Sequence, residues 1–347
     1  MKKNILTLAV AAGLIASAGV ASADPTLYGR VHLALETSSD GNTTGTSGVA
    51  EDTDMNSRKS VIGVKGTEDL GGGLKAFYKL EWEVDPADSG TGGKGKNLDG
   101  RDQFAGLKGG WGKVLFGTAS TNYKQMGGKV DPFWHHAAEG RGYTNTMSFA
   151  HGSKGNTGQG RQENMLQYTT PKMAGIELVV NYTLSGKDGT ATTTDTGDEV
   201  LGVGGRWSNK AFLVFIDYID PSQGGSGAIG SPAAGLQDES LIKIGGKWTA
   251  KQFWLSAQYE AAEDQTGGDY MFVGGNFDIN KNNAIMATIG QHTDLSTGYA
   301  IGYTHSMSKQ TKVYIDYSAL SDDLDDTPAG YEKFDDSVIA LGFIKSF

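Results

Sequence analysis

The sequence predicts an all-β protein, an antiparallel barrel of about 16 strands that closes on itself and crosses a membrane. Three observations predict it. Apolar and polar residues alternate with a period of two along most of the chain, short and long connectors take turns between the alternating segments, and no helix-length apolar run follows residue 23. Composition agrees, with 52 glycines, 7 prolines and no cysteine among 347 residues, of which 38% are hydrophobic. The glycine share is about twice ordinary usage, which argues against a large helical or α/β core. Its lack of a three-residue period excludes collagen. Without cysteine there is no disulfide, thiolate nucleophile or Cys-type zinc site. The 30 Lys+Arg against 40 Asp+Glu give a formal charge of -10. Nucleic-acid binding needs clustered cations to displace counterions, so no nucleic-acid partner is expected.

Residues 1–23 read as a separate unit: Lys2 and Lys3, an apolar run from Ile5 to Val20, then Ala21-Ser22-Ala23. This is the order of a cleaved export signal, and the run is shorter than the about 20 apolar residues of a retained anchor. Residues 24–347 are then one barrel domain, and losing Lys2 and Lys3 takes the formal charge from -10 to -12. Such a bacterial export signal on a cysteine-free chain places the product in or beyond the periplasm.

Strand assignments rest on the pleat. From Leu74 to Glu83, Leu74, Ala76, Tyr78, Leu80 and Trp82 oppose Lys75, Phe77, Lys79, Glu81 and Glu83. From Ile176 to Leu184, Ile176, Leu178, Val180, Tyr182 and Leu184 alternate with Glu177, Val179, Asn181 and Thr183. Leu27 to Glu36, Gln252 to Ala261, Tyr299 to Thr304 and Thr311 to Ser318 follow the same rule. Phe212 to Tyr218 follows it weakly, because both of its faces carry apolar residues.

Asp69 to Gly73, Trp111-Gly112-Lys113, Asn209-Lys210 and Asn280 to Asn283 have hairpin-turn character. Ser38 to Asn56, Pro86 to Asp99, Asn122 to Gly160 and Pro221 to Asp238 are long and polar. Short turns at one end and long loops at the other suit a membrane barrel, with the turns periplasmic and the loops extracellular. A soluble sandwich would not sort its connectors this way. In a barrel with lipid outside and water inside, both strand faces are satisfied and every backbone hydrogen bond is made between neighbours. Tyr28, Trp82, Trp207, Trp248, Tyr317 and Phe347 fall near strand ends, as interfacial girdles require.

Thr26-Leu27-Tyr28-Gly29-Arg30, the block from Ser60 to Ala76 with Gly63-Val64-Lys65-Gly66-Thr67-Glu68-Asp69-Leu70-Gly71, the stretch from Arg101 to Lys108 and the terminal Phe347 resemble the general porins of Gram-negative outer membranes. The resemblance covers essentially the whole mature chain. It implies a 16-stranded barrel, a homotrimer set among outer-membrane lipids and lipopolysaccharide, and passive diffusion of small hydrophilic solutes and ions. It also implies that the third long loop, Asn122 to Gly160, folds inward and narrows the pore. Phe133, Trp134, Tyr143 and Phe149 are its candidate anchors. By the same resemblance, basic residues of the wall face acidic residues of this loop. Arg101 and Arg161 match two such wall arginines, Arg30, Lys75 and Lys79 share the lumen-facing parity, and Asp131 and Glu139 are the loop acids. Val61 and Thr118 stand where the family commonly has further arginines, which points to a wider or more cation-tolerant pore. Phe347 resembles the signal read by the outer-membrane assembly machinery; it also suits a role in sealing the barrel seam.

Other chemistry finds less support. Asp322-Asp323-Leu324-Asp325-Asp326 is the densest carboxylate cluster, but it lacks the spacing of a calcium loop. His135-His136 are adjacent, so on an extended backbone they point apart, and no metal is expected. Gly71-Gly72-Gly73 lacks the ending of a phosphate loop, and no G-x-S-x-G nucleophile context is present. A transport protein without cofactors is the resulting expectation. The alternatives are a substrate-specific channel for sugar or phosphate, and an outer-membrane enzyme or adhesion barrel.

Overall fold

The computed structural model describes residues 25–39, 52–87, 98–141, 146–148, 160–184, 200–220, 240–262, 268–293, 296–322 and 336–347. The export signal 1–23, the loop aromatics Tyr143 and Phe149, and Asp323, Asp325 and Asp326 of the acidic cluster lie outside the described residues.

The strand segments run in chain order as β1 (Thr26–Ser38), β2 (Asp52–Ser57), β3 (Val61–Gly71), β4 (Leu74–Glu83), β5 (Asp99–Gly109), β6 (Gly112–Ser120), β7 (Arg161–Thr169), β8 (Ile176–Thr183) and β9 (Val200–Ser208). They continue as β10 (Phe212–Asp220), β11 (Leu241–Thr249), β12 (Phe253–Ala261), β13 (Tyr270–Asn280), β14 (Asn283–His292), β15 (Ser296–Ser306), β16 (Thr311–Asp322) and β17 (Asp336–Ser346). Sequence neighbours from β3 onward pair antiparallel, and β1 pairs with β17 from Arg30↔Ser346 to Ser38↔Val338, closing the sheet.

Both β2 and β3 pair with β1, through Leu33↔Ser57 and Arg30↔Val61 respectively. They are two halves of one crossing, so the barrel has 16 strands, as the sequence predicts. A side chain fills the break: the Ser60 hydroxyl accepts the His32 N–H at 2.9 Å, and the Arg58 N–H donates to the His32 carbonyl at 3.0 Å. The connector expected from Ser38 to Asn56 is accordingly shorter, because Asp52 to Asn56 belong to β2.

The hydrophobic pattern is inverted relative to a soluble protein. Leu178, Ile301 and Leu341 are 48%, 55% and 53% exposed, whereas Asn181, Asp217, Lys243 and Glu260 are 0% exposed. Apolar side chains therefore face outward and the polar parity faces in, which only a lipid exterior satisfies. No helix among the described residues is long and apolar enough to cross a membrane, so the strands make the crossing. Outward Phe212, Trp248 and Phe277 gather at the turn end, and Tyr259 and Tyr299 near the other, as two girdles. Tyr28 departs from the predicted girdle: its hydroxyl donates inward to Glu81 Oε2 at 2.9 Å.

The short turns are local chemistry. Gly71, Gly72 and Gly73 all hold positive φ, at 84°, 60° and 82°, and the Asp69 carboxylate accepts the Gly71 N–H at 2.9 Å. Residues with a Cβ would be strained there. At the seam, Phe347 exchanges backbone hydrogen bonds with Gly29 at 3.0 and 3.1 Å, and its ring occupies the space a Cβ on Gly29 would need.

Candidate functional site: the channel interior

The site begins with the connector after β6. It carries two single-turn helices, α1 (Asn122–Gln125) and α2 (Gly127–Val130), and its described residues lie against inward side chains of β8 to β16. Asn122 donates from its backbone to Asn181 Oδ1 at 2.9 Å and from its side chain to Asp217 Oδ1 at 3.0 Å. Gln258 donates to the Met147 carbonyl at 2.8 Å, His136 Nδ1 meets Asp316 Oδ2 at 2.9 Å, and Lys243 donates to the Tyr123 carbonyl. Buried polar groups are costly unless bonded, so these wall residues and the connector satisfy one another.

Apolar contacts complete the docking. Phe133 is fully buried with Ala138, Met286 and Ala300, and Met126, Val130 and Met147 pack on Phe215 and Phe272. This explains the ambiguous strand of the sequence: β10 turns Val214 and Ile216 to lipid, while Phe215 and Ile219 face inward to receive the connector. Small wall residues make room. A Cβ on Gly302 would stand 2.6 Å from Phe133, and one on Gly290 2.5 Å from Thr146 Oγ1.

A cavity of about 780 Å³ remains between the connector and the wall of β1 and β3 to β7. Arg30, Lys79, Arg101 and Arg161 line it; Lys75 does not, and sits exposed at the turn end 3.4 Å from Asp69. Val61 lines the cavity, whereas Thr118 does not. Lys79, Arg101 and Arg161 pair with carboxylates of the wall, whereas Arg206, which also lines the cavity, lies 3.4 Å from Glu177 and donates to Gln125 Oε1 of the connector at 2.9 Å. Arg101 donates to Glu81 Oε1 at 2.9 Å and also reaches Glu83, Lys79 lies 2.8 Å from Asp102 and 3.0 Å from Glu81, and Arg161 donates to Asp102 at 2.9 Å. Arg30 donates to the Lys59 carbonyl at 2.9 Å.

The loop acids also differ from expectation. Asp131 is 3% exposed and accepts the N–H groups of Phe133 at 2.8 Å and Gly140 at 2.9 Å, so it shapes the connector's own turn. Burial, then the neighbouring Glu139 charge, push its carboxyl up to about 7 against the pull of those two amides. Glu139 pairs with Arg141 at 2.5 Å, and the Arg141 guanidinium lies 4.0 Å over Trp134. Of the predicted aromatic anchors, Phe133 anchors and Trp134 lines the cavity.

Sequence reasoning missed Glu81, Glu83 and Asp102 as the balancing carboxylates, although Glu81 and Glu83 share the parity of Lys79. It also missed Lys124 and Lys129, which line the cavity from the connector. Lys124 is 5% exposed, and among the described residues neither lysine has a carboxylate at salt-bridge distance. Burial and the charges of Arg141 and Arg161 hold the Lys124 ammonium well below the ordinary lysine range. His135, with φ at 78°, is likewise held neutral by burial and by Arg30.

The chain's likenesses agree with this geometry. A family model described as Gram-negative porin matches residues 7–325. An outer membrane porin protein of Bordetella pertussis is 27% identical, covering 90% of this chain and 93% of its own length. The major outer membrane protein P.IB of Neisseria lactamica is 30% identical over 70% of this chain and 66% of its own. Among solved structures, an anion-selective porin from Comamonas acidovorans superposes with a TM-score of 0.74 at 19% identity, covering 94% of this chain and all of that one. An engineered Rh. blastica porin gives 0.67 at 16% identity over 93% of this chain. With its closed sheet, outward apolar face and polar interior, the chain belongs to the Gram-negative porin family and is an outer-membrane channel.

Proposed function

We propose that this porin is a passive diffusion channel for small hydrophilic solutes, narrowed by the β6–β7 connector and preferring anions over cations. One observation carries the sign. The wall cations Lys79, Arg101 and Arg161 are balanced by Glu81, Glu83 and Asp102, whereas exposed Lys129 on the connector and Arg30 on the wall add charge without a carboxylate at salt-bridge distance among the described residues. An excess of cations in a confined, low-dielectric passage raises the local concentration of anions. The cation-tolerant pore suggested by Val61 and Thr118 gives way, because Lys129 of the connector supplies a cation that those positions lack. A phosphate-specific channel would need arginines free of carboxylates; Arg101 and Arg161 are not free.

The biological setting follows the family. The chain is exported by cleavage after residue 23, assembles as a homotrimer among lipids and lipopolysaccharide, and offers Phe347 to the assembly machinery. The test is planar-bilayer recording of the purified protein. Conductance in steps of three supports the trimer, and the reversal potential in a KCl gradient reports selectivity. A reversal potential of cationic sign overturns the selectivity reading, and a folded barrel that carries no current overturns the open channel.

A further inference from the structure

A second cavity, of about 770 Å³, opens at the turn end of the barrel, between the connector's Pro132, Trp134 and His136 and the ends of the later strands. It meets the first cavity at Arg30, Trp134 and Ser346, which line both. Four lysines border it: Lys251, Lys281 and Lys309 in the short turns and Lys312 at the start of β16. All four are exposed, and no ion pair holds any of them among the described residues. Asp278 is the one carboxylate of its lining, and it is bonded to Asn276 at 2.9 Å. Three of the long connectors are of opposite charge in sequence, residues 185–199, 221–239 and 323–335 holding eleven acidic and two basic residues.

We propose that this turn-end vestibule is a capture site for multivalent oxyanions, solutes carrying two or more phosphate or carboxylate groups, and that it acts from this side of the channel only. The inference rests on the reading of the chain as an open channel. A single exposed ammonium attracts a monovalent anion weakly, because water screens it within about 10 Å at 0.1 M salt. Several such charges around one opening act together on a ligand that carries several charges of its own. The side-chain amides of Asn280, Asn282 and Asn283 add donors at the same rim. The selectivity of the narrow section concerns which ion passes; the vestibule concerns which anion dwells, and on which side.

Single channels in dilute KCl test this, with tripolyphosphate and then citrate added to one side at a time. Because the chain has no cysteine, a Ser308→Cys label with a polymer-linked maleimide too large to pass marks the turn end. The expected result is current block from the turn end at a concentration at least tenfold lower than from the other end. Replacing Lys251, Lys281, Lys309 and Lys312 together by Gln should abolish that difference while the barrel stays folded and still conducts KCl. Equal block from both ends, or a sided block that survives the fourfold replacement, overturns the proposal. A sided block in a channel whose KCl reversal potential shows no anion preference supports it and overturns the preceding selectivity reading alone.

Discussion

At Arg101 and Arg161 the decisive fact is the company each keeps. Removing either cation subtracts one positive charge and leaves its carboxylates to the cations that remain. We therefore expect the double variant Arg101→Gln with Arg161→Gln, which leaves Lys79 beside Glu81 and Asp102 and Lys59 3.8 Å from Glu83, to move the anion-to-cation permeability ratio toward cations by at least about twofold, or ~0.4 kcal/mol. Lys129→Gln removes a single exposed charge of the connector and should shift it less. Reversal potentials measure both, and an unchanged ratio in the double variant would remove these arginines from the permeation path. Asp131 carries a different prediction. Its folded-state pKa of about 7 lies above the ordinary carboxylate value, so the packed connector binds a proton that a loosened one releases. The stabilisation is complete below about pH 4 and is lost as the pH rises through about 7. Amide protection at Phe133 and Gly140, measured relative to the intrinsic exchange rate at each pH, should fall between pH 5 and pH 8, and Asp131→Asn, which keeps an acceptor for one of the two amides, should flatten that dependence. These roles were only half legible in the sequence. Parity placed Lys79 and Glu81 on one face and the family resemblance placed Arg101 on the wall, but pairing depends on register between β4 and β5, which a bulge near Leu80 and Trp82 shifts.

Elements explain why the connector after β6 was readable as a loop yet not as a structure. Its two single-turn helices have no amphipathic repeat, and each is too short to be stable alone. Their order comes from the wall, where Asn181, Asp217, Gln258 and Asp316 offer bonds and Phe215 and Phe272 offer apolar surface. That second half of the information sits 59 to 180 residues downstream of the first. The mixed face of β10 was the visible trace of it. The wall's small residues give a direct test of the docking. Gly290→Val puts a β-branched side chain where Thr146 lies, and overpacking of this kind costs about 1–3 kcal/mol when the neighbours cannot give. The closed backbone ladder of β13 to β15 is the stiffer partner, so the connector should yield. The expected outcome is a barrel of unchanged resistance to detergent whose single-channel conductance rises and whose open-channel noise increases. Unaltered conductance in a folded Gly290→Val protein would mean that the connector does not bound the pore.

For the molecule as a whole, the solvent on each side of the sheet is what makes the sequence legible. The alternation in Leu74 to Glu83 and Ile176 to Leu184 locates β4 and β8 because each face meets a different medium, and a one-residue slip would put every side chain in the wrong one. The same rule holds around the closed ring, so the count of 16 crossings followed from connector rhythm alone, whereas the split of the second crossing at Arg58 to Ser60 did not, because a hydroxyl there takes the place of a ladder bond. This two-solvent logic makes a quantitative demand that no soluble β-protein shares. Ile301 stands at the middle of β15, 55% exposed on the outer face, and Asn276 stands on the inner face of β13 in the lining of the vestibule. Arginine at the bilayer midplane costs about 2–4 kcal/mol, while a lumen cation remains hydrated. Ile301→Arg should therefore lower the unfolding free energy of the barrel in lipid vesicles by about that amount, and Asn276→Arg should leave it nearly unchanged and strengthen anion preference. Denaturant titration in vesicles reads the first effect and the KCl reversal potential the second. If the two variants lost stability equally, the outer face would not be the lipid face, and the inverted pattern of exposed leucines over buried carboxylates would need a different cause.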